Sequence, residues 1–175
     1  MLRQRHEAKL EWPIRTTFAA LIGVLARGRW AGSERLEAAA ALPRAGLRYE
    51  QQRPTALRRG RVVECIPPVS ITLAETLLDA PCCVRLRLRW RLEPMEFVSF
   101  LRLDASFDLR GAAALRRRHW NERIDGHCTR TIAALEAVLA ARAQEEDKGT
   151  SGQSQGRSAI KTAKVSSVSG RPTFR

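Results

Sequence analysis

Chemistry in this 175-residue chain has few places to reside, since it holds three histidines, four cysteines and a single tyrosine. The first is Glu75. Residues 69–78 alternate so that Ile71, Leu73, Glu75 and Leu77 share one side and Thr72, Ala74, Thr76 and Leu78 the other. With the first side inward, a carboxyl among apolar groups has a raised pKa and serves as an acid or base. With the second side inward, Glu75 points out and pairs with the arginines of a neighbouring strand, which is the expected arrangement. Tyr49 is the other candidate proton handler, or a hydroxyl that orients a ligand. A second group, Arg117, Trp120 and Asn121, lies where a helix stripe faces inward and would offer polar contacts to a bound molecule.

Arg85, Arg87, Arg89 and Arg91 form a third group, on one face of a strand whose other face is Val84, Leu86, Leu88, Trp90 and Leu92. Guanidinium groups about 7 Å apart suit a line of phosphates. Sheets that bind nucleic acid, however, interleave aromatic rings for stacking, and Trp90 is on the opposite face. Glu64, Glu75, Asp79, Asp104 and Asp108 are near enough in the strand pattern to neutralise the row, so nucleic acid is not the expected partner. The net charge of +13 is almost wholly arginine, and part of it belongs to the segment after residue 142. Cys65, Cys82, Cys83 and Cys128 lack the spacing that converges thiolates on a metal, and His119 and His127 are not an i,i+4 pair. No metal or cofactor is expected. His119 falls off the inward helix stripe, and no nucleophile triad, phosphate loop or paired-carboxylate motif is present.

These residues need elements to hold them. Residues 7–12 alternate as a half-buried strand, and Pro13 suits the first turn of a helix over residues 14–25 with Phe18, Leu21, Ile22 and Leu25 on one face. A second short helix follows from Ser33 to before Pro43. Period two then takes over in strands at residues 46–53, 61–66, 69–78, 84–92 and 101–109, separated by Pro67-Pro68, Asp79-Ala80-Pro81 and Pro94-Met95 turns. After Gly111 the period returns to 3.6. Ala113, Arg117, Trp120, Ile124, Cys128, Thr131, Leu135 and Val138 form one stripe of a helix reaching to about Arg142. Residues 146–175, rich in Ser, Gly, Gln and Lys, are expected to be a disordered basic tail behind a domain at residues 1–145.

The expected fold is α+β of the helix-grip type. It is a curved antiparallel sheet wrapped around a long C-terminal helix, with two short helices after the first strand. No run approaches a membrane span and no apolar leader follows the basic start, so a cytoplasmic protein is expected. The chain also resembles the START/SRPBCC superfamily, which includes polyketide cyclase and lipid-transport-like proteins, over roughly residues 7–141. The resemblance rests on Leu10-Glu11-Trp12-Pro13-Ile14, Gly46-Leu47-Arg48-Tyr49, Arg59-Gly60-Arg61-Val62 and the stretch from Ser70 to Thr76. It rests most on Leu88-Arg89-Trp90-Arg91-Leu92-Glu93-Pro94 and His119-Trp120-Asn121. It implies a cavity for a hydrophobic ligand between sheet and helix, and no shared catalytic set.

The expected function is therefore to bind or carry a lipid, polyketide-like or aromatic molecule. Leu88, Trp90, Leu103 and Phe107 would wall the cavity, and Tyr49, Arg117, Trp120 and Asn121 would orient its occupant. Two alternatives stand beside it. One is a cyclase or dehydratase using Glu75 or Tyr49; the other is a protein or nucleic-acid interaction module working through the arginine face and the tail.

Overall fold

The computed structural model describes residues 1–29, 42–52 and 56–154, with the backbone path alone beyond residue 145. The elements follow in the order β1 (Leu2–Leu10), α1 (Ile14–Arg29), β2 (Arg48–Gln52), β3 (Leu57–Ile66), β4 (Ser70–Asp79), β5 (Cys82–Met95), β6 (Val98–Gly111), α2 (Ala112–Leu115) and α3 (Arg117–Ser154). The strands form one antiparallel sheet in the order β1-β6-β5-β4-β3-β2. β2 to β6 are a meander, and β1 returns to pair with β6. Curved sheet and long C-terminal helix together are the helix-grip arrangement that the strand and helix periods predict. No helix among the described residues is long and apolar enough to cross a membrane.

Period-two patterning decides which face is core. On β5 the residues Val84, Leu86, Leu88, Trp90 and Leu92 are buried, whereas Arg85, Arg87 and Arg89 are exposed. β6 repeats this with Leu101, Leu103, Ala105 and Phe107 inward. On α1 it is Phe18, Leu21 and Leu25 that are buried, one helix turn apart. Thr17 is fully buried too, and its hydroxyl meets the Ser99 hydroxyl of β6 at 2.8 Å. That pairing removes the cost of roughly 1–3 kcal/mol that an unpartnered buried hydroxyl carries.

The structure departs from the sequence expectation in three places with a local cause. β1 begins at Leu2 and ends at Leu10, where a strand over residues 7–12 is expected. Its inward positions include Gln4 and His6, which break the apolar alternation. Both face α3: Gln4 Nε2 donates to the Asn121 carbonyl at 2.8 Å and to its Oδ1 at 2.9 Å, and His6 Nε2 lies 3.6 Å from Asp125, short of a hydrogen bond. β3 starts at Leu57 rather than Arg61, and a register shift between Val62 and Glu64 hides its phase. The expected single C-terminal helix is interrupted at Arg116, whose backbone (φ −108°, ψ 37°) separates α2 from α3. A stripe counted through that break misplaces Arg117, which is exposed, while Trp120, Ile124, Cys128, Thr131, Leu135 and Leu139 are buried.

Helical backbone also runs past the expected end near Arg142, to Ser154. The rest of the expected tail, residues 155–175, and the helix expected between Ser33 and Pro43, but for its last residue, lie outside the described residues. Two compact units divide the chain, Met1–Ala141 and Arg142–Arg175, and the sheet, α1 and the buried stripe of α3 all belong to the first.

Leu88 and Leu103 have no solvent exposure, and Trp90 and Phe107 only 1%. All four are closed off from solvent in the core. Leu88→Ala is accordingly expected to lower the unfolding free energy by about 2–5 kcal/mol in urea titration; a wall residue facing a cavity would cost well under that.

Candidate functional site

One register row places Tyr49 of β2, Gly60 of β3 and Glu75 of β4 side by side on the core face. Gly60 is what lets the outer two meet. Any Cβ there would run into the Tyr49 ring, so the ring lies across the glycine and its hydroxyl donates to Glu75 Oε1 at 2.7 Å. The same oxygen accepts from Arg29 Nε at 2.7 Å, and Arg58 Nε stands 3.8 Å from Oε2. Arg29 comes from the last turn of α1, an end where the helix dipole favours a cation. Its Nη2 also reaches His127 Nε2 of α3 at 3.2 Å. A guanidinium only donates, so this histidine nitrogen accepts.

Glu75, Arg29, Arg58 and Tyr49 are each at most 6% exposed. The carboxylate thus faces inward, and the expected outward pairing with neighbouring-strand arginines is replaced by cations brought from α1 and from β3. Burial alone would push the Glu75 carboxyl up. The charges of Arg29 and Arg58 and the hydrogen bonds from Tyr49 and Arg29 outweigh it and hold the group down, to about 2. Burial, the adjacent Glu75 charge and the bond donated to it drive Tyr49 well above the usual phenol range. Glu75 is therefore a fixed anion and Tyr49 a fixed donor. These shifts keep Glu75 ionised and Tyr49 protonated near neutrality. Burial pushes the Cys128 thiol up to about 12, aided by Asp125, which leaves it inert as a nucleophile. The four cysteines are free thiols, and no three metal-ligating side chains gather among the described residues.

Beside this network α3 and the sheet leave a partly open gap of about 70 Å³, lined by Leu57, Leu77, Leu86, Trp120 and Ile124 together with Arg58, Asp79, Arg123, His127 and Arg130. Trp120 is 2% exposed, and its Nε1 has no hydrogen-bond partner among the described residues. Arg123 lies over the indole at 4.8 Å and donates to Asp79 at 2.9 Å. Of the residues singled out in sequence, Trp120 reaches this space, and Tyr49 reaches the network next to it. Arg117 and Asn121 are exposed, and Asn121 is bound to Gln4. His119 is exposed, edge-on to Trp120 with ring centroids 5.9 Å apart. Sequence reasoning missed Arg29, Arg58, Gly60 and His127. The one available signal was a glycine inside a strand, which marks a close approach.

No protein-family model matches the chain, and neither does any curated protein sequence. Solved structures do. A conserved protein from Geobacillus kaustophilus is similar with a TM-score of 0.62 at 14% identity, over 80% of this chain and 96% of that one. A protein of Mesorhizobium loti gives 0.58 at 18% identity, over 81% and 98%. Aha1 from Colwellia psychrerythraea, solved as a dimer, gives 0.54 at 12% identity, over 79% and 96%. At such identities the likeness is one of fold, and it agrees with the helix-grip arrangement of strands and helix.

The network yields a signed pH prediction. Because the folded carboxyl is held below its ordinary value of 4.5, its stabilisation is whole above that pH and is lost as pH falls toward 2. Glu75→Gln, which strands two buried guanidiniums, is expected to cost about 3 kcal/mol at pH 7. The deficit relative to wild type should shrink by roughly half at pH 3, read by urea unfolding at both pH values. A deficit that stays constant would contradict the assignment. Gly60→Ala, by displacing the Tyr49 ring, should cost about 1–3 kcal/mol, and Tyr49→Phe added to it should cost little more.

Proposed function

We propose that this chain binds a small, largely apolar molecule carrying one hydrogen-bond acceptor, in the gap between α3 and the ends of β3, β4 and β5. The observation that carries the reading is the Trp120 indole. It is buried beside the cavity with its Nε1–H unanswered among the described residues. An indole nitrogen only donates, so the complementary ligand presents an oxygen acceptor there and apolar surface to Leu77, Leu86 and Ile124.

Volume narrows the chemical class. Sites for drug-sized ligands run from about 300 to 1,000 Å³, whereas this gap of about 70 Å³ has room for on the order of five waters. A phenol-sized or short-chain compound suits it better than a sterol or a long-chain lipid. Among the polyketide-like, lipid and aromatic ligands that the family resemblance suggests, the small aromatic is therefore favoured. The solved structures of the same fold are compatible with this reading, and their similarity extends to the fold alone.

Phenol, benzaldehyde and cyclohexanone are the probes, with palmitate as the oversized comparison. At a hundred times its Kd a ligand that fits should raise the melting temperature by roughly 5 °C. It should also shift the Trp120 indole proton resonance, and Ile124→Phe, which fills the gap, should abolish both effects. Palmitate binding that survives Ile124→Phe, or an unmoved Trp120 resonance across the panel, would refute the proposal.

A further inference from the structure

The outer face of the sheet carries a row that the fold does not use. In register across all six strands stand Arg48, Arg61, Ala74, Arg87, Ser106 and Arg3. All four arginines are exposed, and among the described residues none has a carboxylate within ion-pair distance. The flanking rows differ: Arg59 is held by Glu50, and Asp104 by Arg5 and Arg91. Arg48 and Arg61 are direct cross-strand neighbours, an arrangement of like charges that destabilises a sheet. The row is thus no stability device, and its charge is available to an anion.

Its small members shape the surface. Two open grooves of about 620 Å³ each share Arg87 and Ser106; Ala74 and Arg61 border the first, and Arg3 the second. Asp108 in the first groove is paired with Arg110, and Asp104 in the second with Arg5 and Arg91. Phe107 borders the first groove but is buried on the core side, so neither groove offers an exposed ring for base stacking. With strands about 4.8 Å apart, an anion over Ala74 is bracketed by Arg61 and Arg87, and one over Ser106 by Arg87 and Arg3. The two seats are then about 10 Å apart. Guanidinium forks match phosphate oxygens in pairs.

We infer that this row is a binding site for small oligophosphates, with phosphate groups over Ala74 and Ser106 and Arg87 shared between them. Calorimetric titration of the full chain with short-chain inorganic polyphosphate, with orthophosphate alongside, tests it. Polyphosphate should bind at least tenfold more tightly than orthophosphate, since it alone spans both seats. Arg87→Ala and Ala74→Glu should each weaken binding at least tenfold, while Arg118→Ala, which removes the same charge from an exposed face of α3, should change it less than twofold. Thermal melts establish folding, and Arg61→Ala replaces either variant that melts early. The inference falls if wild type does not bind at low salt, or if Arg118→Ala weakens binding as much as Arg87→Ala. It falls equally if orthophosphate matches polyphosphate, or if a DNA duplex or anionic vesicles bind more tightly than polyphosphate.

Discussion

A carboxylate in the middle of a hydrophobic sheet face is expensive to desolvate, and Glu75 is tolerable there only because three other side chains converge on it. An idealised transfer of such an ion costs far more than any one contact returns, so the geometry has to be close to complete. Arg29 arrives from the end of α1, Arg58 from β3 and Tyr49 from β2 across Gly60, while His127 of α3 receives the spare Arg29 donor. Every element that surrounds the core at this end is thereby fixed against the same carboxylate. The end of α1 is set, the short β2 is held to its neighbours by more than its ladder, and the rotation of α3 is specified. Directional bonds of this kind set position in a way that apolar contacts alone do not.

The same sheet separates two chemistries. Inside, Leu88, Trp90, Leu103 and Phe107 pack without exposure, and the helix leaves only a small gap near Trp120. Outside, the alternate residues of β5 are arginines, and those of β6 are Arg102, Asp104, Ser106 and Asp108. The fold thus limits what can be held between sheet and helix to something compact, while the broad open grooves lie on the opposite, basic face.

How much of this was legible in sequence depended on the range of the interaction. β5 and β6 announce themselves because Val84 to Leu92 and Leu101 to Leu109 alternate without exception, and the sheet-plus-helix class follows from the order of periods. The Trp120–Leu135 stripe is legible for the same reason. The Arg29–Glu75 pair is not, since its partners are 46 residues apart and belong to different elements. Alternation alone leaves Glu75 free to face either way, and only the arrival of α1 decides it. Arg58 is concealed by the irregularity after Val62, β1 by the polar Gln4 and His6 that face α3, and the exposure of Arg117 by the break at Arg116. Gly60 was the one local clue, because an unbranched position beside a tyrosine strand implies something lying over it.

The most direct measurement is a pH titration of the Glu75 side-chain carboxyl by carbon NMR, with Glu75→Gln used to assign the resonance. A carboxyl gripped by Arg29, Arg58 and Tyr49 stays ionised as pH falls through 4.5 and reaches its midpoint only near 2, if the fold survives to that point. A resonance that titrates at 4.5 or above would mean that the cations do not close on it, and the central organisation described for this fold would be wrong.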